Sequence, residues 1–234
     1  MYDILVPGFP GRCSRGFLGW STIALIMTET GPMLFDTGGP GDRQTLLTAL
    51  TQRGIEPADI KAVILSHLHF DHVANVECFP TAEVIIHADE LSYFEREGAA
   101  DLALPRYLVA GLRSSARVKT VTGEPELARG VTLIRTPGHT AGHCSLALSA
   151  GGTRVVLAQD AIKTRNEIVA GGPATAFSLP DARASVARIL SIADVVVPGH
   201  DCSLLMQSGG PEPLVSLTET VTLTTDGRVV PLEA

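Results

Sequence analysis

The chain has 234 residues, 45% of them hydrophobic and 18% charged, with a formal net charge of −7; this suits one domain over 1–234 with a self-sufficient core and argues against a general nucleic-acid binder, which carries a basic stripe. Its four cysteines, Cys13, Cys78, Cys144 and Cys202, form no CxxC pair, which excludes a zinc knuckle or disulfide framework and leaves free thiols. No apolar run approaches the ~18 residues that span a bilayer, and no basic-then-apolar opening marks a secretory signal, so a cytoplasmic location without a membrane partner is expected.

Residues 22–27 read as a buried strand and 33–35 as its neighbour, with Gly31-Pro32 marking the turn. After Asp36-Thr37-Gly38-Gly39-Pro40, the residues Leu46, Leu47 and Leu50 fall at helical spacing, with Asp42 as a start signal. Residues 61–65 form a short apolar strand that runs into a histidine cluster, 83–87 another strand, and 89–96 a helix. Between 98 and 121 the pattern predicts a helix and a loop over the site. Three more strands follow at 131–135, 145–149 and 154–158. Ser178-Leu179-Pro180-Asp181 reads as a capping box with Pro in the first turn, and Val186, Ile189 and Leu190 continue an apolar face. A last buried strand, 194–197, ends at Pro198-Gly199-His200, and the stretch from 209 reads as a loop and closing hairpin. Strands and helices thus alternate through two comparable halves that meet near residue 125. Two sheets covered by helices on their outer faces would bury these patterns in one layered α/β domain.

Ser66-His67-Leu68-His69-Phe70-Asp71-His72 is the most informative stretch. Residues at i and i+2 on extended backbone point the same way, so His67 and His69 can converge on one cation. A turn begun at Phe70 swings Asp71 and His72 toward a second point. Imidazole nitrogen and carboxylate oxygen suit zinc, with iron and manganese as alternatives. Three other strand ends offer one donor each: His139 after Thr136-Pro137-Gly138, Asp160 after Gln159, and His200 after Pro198-Gly199. Singly, each has an ordinary explanation as a turn residue or helix cap. Together with the first cluster they predict a metal site on loops at one sheet edge.

This ordered set, HLHFDH at 67–72, His139 in TPGHTAGH, then Asp160 and His200, resembles the metallo-β-lactamase superfamily. The resemblance implies an αββα sandwich of two mixed β-sheets flanked by helices, with a site for two divalent metal ions. It places His67, His69 and His139 on one metal and Asp71, His72 and His200 on the other, with Asp160 bridging. Asp36, in the DTG turn, would orient ligands rather than bind metal. Residues 36–40, Phe79-Pro80 and 193–200 are most similar to the metallo-β-lactamase domain-containing protein 1 subgroup.

Two such cations can share one water and lower its pKa from ~15.7 toward ~7, giving a bridging hydroxide as nucleophile. Asp71 is the expected proton carrier to the leaving group. Asp160 stands where one β-lactamase class has Cys, which argues against a dedicated β-lactamase. Lys163 stands where acyl-homoserine lactonases have Tyr; it either binds a substrate anion or sits in solvent. The first expectation is hydrolysis of a small ester, lactone or thioester. The alternative implied by the subgroup is an RNA phosphodiesterase, and a non-catalytic metal-bound scaffold or sensor is a third reading. His143 is expected beside the ligands without binding metal, and His87 is expected as a satisfied structural histidine. Cys202 is expected as a buried small side chain. Segments 12–20 and 98–117 are expected either to shape the pocket or to form a homodimer contact.

Overall fold

The structure is a computed structural model that describes residues 2–14, 16–223 and 228–233. The first half builds a six-stranded sheet from β1 (Tyr2–Val6), β4 (Ile23–Thr28), β5 (Gly31–Phe35), β6 (Ala62–Ile64), β7 (Glu83–His87) and β8 (Val118–Val121), in that spatial order. A short hairpin, β2 (Arg12–Cys13) and β3 (Gly16–Phe17), lies between β1 and β4 in the chain. The first two pairings are antiparallel and the remaining three parallel. Parallel strands need crossovers. Here these are supplied by α1 (Arg43–Thr51), α2 (Phe70–Val73), α3 (Ala88–Glu97) and α4 (Arg106–Arg113).

The second half builds a seven-stranded sheet from β9 (Glu126–Ala128), β10 (Val131–Arg135), β11 (Cys144–Ala150), β12 (Thr153–Gln159), β13 (Val195–Pro198), β14 (Leu204–Gln207) and β15 (Gly210–Pro213). Only β12 and β13 pair in parallel, across the crossover that carries α5 (Arg165–Val169) and α6 (Leu179–Ile192). A separate hairpin, β16 (Thr218–Leu223) and β17 (Arg228–Glu233), follows.

Side-chain alternation explains the layering. In β4, Ala24 and Ile26 face the opposite sheet, where Leu133, Leu146, Leu157 and Val197 meet them. Ile23 and Leu25, one residue out of step, pack outward with Leu46, Leu50, Val109 and Leu112 from the first half's helices. The second sheet repeats the scheme: Ile134, Val156 and Val196 turn outward onto Ile168, Val186 and Ile189 of α5 and α6. The layers are therefore helix, sheet, sheet, helix, as the resemblance implied.

Several expectations need adjustment. The 98–121 stretch holds α4 and also β8, an edge strand whose four residues are all half-buried or exposed and so lack a buried alternation. Ser178 makes no side-chain cap hydrogen bond, so the capping box does not form. Its N–H is instead spent on the Gly138 carbonyl at 2.9 Å, which fixes the helix entry, and Pro180 does sit in the first turn. The reading around Asp42 is closer: its carboxylate accepts the Gly39 N–H at 2.7 Å one turn before α1 begins. The expected closing hairpin falls partly on residues 224–227, outside the described residues.

Candidate metal centre

Every candidate ligand leaves a strand at the same rim. β6 feeds Leu65, Ser66 and the extended segment 67–69, and α2 then turns Asp71 and His72 toward the neighbouring point. His139 follows β10 behind Gly138, which has a φ of 133° and lies against α6. A Cβ there would stand 2.2 Å from the Ala182 nitrogen, so only glycine fits. Asp160 and His200 follow β12 and β13, whose parallel pairing sets their ends side by side. Gly199 is needed for a different reason, since a Cβ there would stand 2.3 Å from Asp160 Oδ1. Asp36 and Gln159, at the ends of β5 and β12, hold left-handed backbone with φ of 59° and 48°. For non-glycine residues that conformation costs about 1 kcal/mol or more and clusters at functional sites.

His139 Nε2 lies 3.1 Å from His67 Nε2 and 3.0 Å from His69 Nδ1. Asp160 Oδ1 lies 3.3 Å from His72 Nε2 and 3.2 Å from His200 Nε2, and Asp71 Oδ2 lies 3.8 and 3.6 Å from the same two nitrogens. The other Asp160 oxygen, Oδ2, is 3.2 Å from His139 Nε2. Asp160 thus turns one oxygen to each triad. Within each of the groups His67–His69–His139, His67–His72–Asp160 and Asp71–His72–His200, the donor atoms lie within 4.8 Å of one another.

The donor set fits divalent cations on two grounds. His72 Nε2 and Asp160 Oδ1 are buried and have no hydrogen-bond partner among the described residues, an arrangement that native interiors avoid. In the first triad His139 Nε2 also faces both His67 Nε2 and His69 Nδ1 at contact distance, which suits lone pairs sharing a cation better than mutual hydrogen bonds.

The outward nitrogens are held. His72 Nδ1 is 2.7 Å from Asp36 Oδ2, which also accepts the Ser66 hydroxyl at 2.6 Å, while Asp36 Oδ1 accepts the Ser66 N–H at 2.7 Å. His67 Nδ1 is 2.9 Å from Ser66 Oγ, His69 Nε2 is 2.8 Å from Asp101 Oδ2, and His200 Nδ1 donates to the Trp20 carbonyl at 2.9 Å. Such outer partners fix ring orientation and tautomer. Glu90, from the first turn of α3, accepts from Leu68 N, Thr140 Oγ1 and Gly142 N at 3.0, 2.7 and 3.2 Å, and so ties the 67–72 segment to the loop that carries His139.

Charge is distributed to match. Burial holds His67 and His139 well below the ordinary imidazole value, so their lone pairs are free. Burial would push the Asp160 carboxyl up, but His200 and His72, with Lys163 and His139, hold it well below the usual range. Burial disfavours the charged form of His72, yet Asp160, Asp71 and Asp36 outweigh that and raise it well above its ordinary value. A proton on His72 occupies the position a cation would take, and metal binding would release it.

The structure brings together all seven side chains singled out in the sequence. His143 is buried 5.1 Å from the His67 ring, with Nδ1 2.9 Å from Thr136 Oγ1. His87 is buried elsewhere and only half satisfied: its Nδ1 accepts the Asp89 N–H at 3.1 Å, while Nε2 has no partner among the described residues. Cys202 is buried, with Arg165 Nη2 3.4 Å from its sulfur. Lys163 reaches to 3.6 Å from Asp160 Oδ2 and lines a cleft of about 400 Å³ with His139, Tyr93 and Phe177. A second cleft, about 510 Å³, runs beside Asp71 and is lined by Leu18, Trp20 and Phe70. Segment 12–20 contributes to that second cleft and also packs Phe17 edge-on against His200 at 4.9 Å. Sequence reading missed Asp101, Tyr93 and Glu90; only Ser66, adjoining His67, carried a local signal.

Layered sheets with His and Asp donors gathered at one rim define a metal-dependent hydrolase. The profile of the Metallo-beta-lactamase superfamily matches residues 18–200. The mouse protein named Metallo-beta-lactamase domain-containing protein 1 is 33% identical over 206 residues, covering 84% of this chain and 71% of that protein. An N-acyl homoserine lactonase from Bacillus sp is 28% identical over 205 residues, covering 76% of this chain and 79% of the lactonase. A solved quorum-quenching N-acyl homoserine lactone hydrolase superposes with a TM-score of 0.67 at 27% identity, covering 79% of this chain and 81% of its own. The chain belongs to the metallo-β-lactamase superfamily.

Proposed function

We propose that the chain hydrolyses a small ester, lactone or thioester, using two divalent cations. His67, His69 and His139 would hold one, Asp71, His72 and His200 the other, and Asp160 both. The observation that carries this reading is Asp160, whose two oxygens turn to two separate triads. Two bound cations would supply hydroxide at neutral pH and polarise the bond under attack.

The protein's own groups do the rest. Asp71, on the wall of the larger cleft, is placed to carry a proton to the leaving group. Leu18, Trp20 and Phe70 offer that cleft an apolar wall against which the apolar part of a substrate can rest. The lactonase relative supports a lactone among the substrates. Lys163, on the wall of the neighbouring cleft, favours one bearing a carboxylate or phosphate.

Two experiments test the reading. Metal analysis of the purified chain is expected to give about two divalent ions, zinc first among them, and chelation is expected to abolish turnover of an aryl-ester, thioester and lactone panel. Activity that survives complete metal removal, or cleavage of labelled RNA with none of the panel, would overturn the assignment. Lys163→Ala is expected to raise KM about threefold to fivefold for anionic substrates only, the size of a partly screened charge contact. An equal rise with neutral substrates would remove Lys163 from the binding site.

A further inference from the structure

We propose that Asp101, backed by Tyr93, is a positioning residue that sets the affinity of one cation site, the one formed by His67, His69 and His139, given the two-cation reading above. Among the donors of that triad, His69 differs in presenting Nδ1 to its partners, whereas His67 and His139 present Nε2. Something must therefore place the proton of His69 on Nε2 and turn the ring accordingly. Asp101 Oδ2, 2.8 Å from His69 Nε2, does so, because an ionised carboxylate only accepts and so demands a donor there.

That carboxylate is held by two further donors. Tyr93 OH donates to the same Oδ2 at 2.8 Å, and the Ala103 N–H donates to Oδ1 at 3.0 Å. The Phe70 N–H donates to the Ala103 carbonyl at 2.9 Å, which ties the loop to the residue directly after His69. Tyr93 is itself buried on α3, with its ring edge-on to Phe177 at 5.0 Å. The arrangement mirrors the other triad, in which the buried Asp36 backs His72. Each triad then has one imidazole whose tautomer and ring orientation are fixed by a carboxylate. The two supports differ in setting: Asp36 is fully buried, whereas Asp101 lies on the wall of the cleft that also holds Lys163. A carboxylate on a histidine ligand's outer nitrogen strengthens metal affinity by about 10- to 100-fold.

The test uses the full chain, stripped of metal and titrated with Zn²⁺ against a chromophoric competitor. The unaltered protein is expected to take up two ions. Asp101→Ala is expected to weaken one of them about 10- to 100-fold and leave the other within about twofold. Asp101→Asn, which keeps the shape and one acceptor oxygen, should fall between, and Tyr93→Phe should weaken the same ion by less. In a His69→Ala background, Asp101→Ala should add nothing, because its effect runs through that ring. Metal-free Asp101→Ala is expected to melt somewhat earlier, because the Tyr93 hydroxyl and the Ala103 N–H lose their acceptor, so affinities are compared at a temperature where both chains are fully folded. Unchanged affinity for both ions, or equal weakening of both, would overturn the role of Asp101 while the two-cation reading stood. Uptake of fewer than two ions by the unaltered protein would overturn both.

Discussion

Asp71→Ala is expected to cut turnover by about 10²- to 10⁴-fold, the range seen when a general acid or base is removed, while the chain still folds. That factor corresponds to roughly 3–5.5 kcal/mol of barrier. The residue is buried in the first turn of α2, directly after His69, with Oδ2 facing His200 and His72. A carboxylate so placed has one oxygen for a cation and a second for a proton. The fold is expected to survive because the structural tie here is made by backbone: Ser21 Oγ donates to the Asp71 carbonyl, which alanine keeps. Turnover at saturating metal, alongside thermal melting, measures both parts. Asp71→Asn separates the roles, since it keeps a ligand oxygen and loses the proton-accepting one. Full activity in either variant would reject Asp71 as proton carrier.

Glu90→Leu is expected to cost about 3 kcal/mol or more, because it strands the N–H groups of Leu68 and Gly142 and the hydroxyl of Thr140 in the interior. Glu90→Gln probes the same residue through pH. Burial raises the Glu90 carboxyl to about 7 from an ordinary value of 4.5, against the hydrogen bonds of Thr140 and Leu68. A carboxyl raised in the folded state stays protonated while the unfolded chain ionises, so the contribution of Glu90 to stability is fully present below pH 4.5 and is lost as pH climbs toward 7. A shift of that size, at 1.36 kcal/mol per pH unit, is worth about 3 kcal/mol across the window. Denaturant titrations of metal-free protein at pH 4.5 and 7.5 should show the unaltered chain losing about 3 kcal/mol relative to Glu90→Gln across the window, because the buried His67, His139 and His143, whose contributions run the other way, are common to both proteins. Equal slopes in the two proteins would show that Glu90 does not titrate there.

The layering was legible where burial left a periodic trace. In β4, β7 and β12 the apolar residues run long enough for the strands to be found, and the ends of β6, β10, β12 and β13 could be read because each delivers His or Asp directly after an apolar run. Other parts left no such trace. β1 carries Asp3 in its second position and is only partly buried, and β8 is an exposed edge. Glu90 looks locally like any acidic residue favouring a helix N-terminus. Its place beneath two loops follows from the docking of α3 against residues fifty positions away. Asp101 meets His69 across 32 residues through a loop with no period of its own. The ligands belong to the strands and announce themselves beside them, whereas their supports are set by how the layers close.

The donors come from both sheets: 67–72 from the end of β6, and His139, Asp160 and His200 from the ends of β10, β12 and β13. Each cation would therefore be a stitch across the seam where the two halves meet, and its binding energy would count toward keeping them shut. At a free concentration a thousandfold above Kd, one such ion adds about 4 kcal/mol to stability. Metal supply would then govern how long each molecule survives proteolysis as well as how fast it turns over.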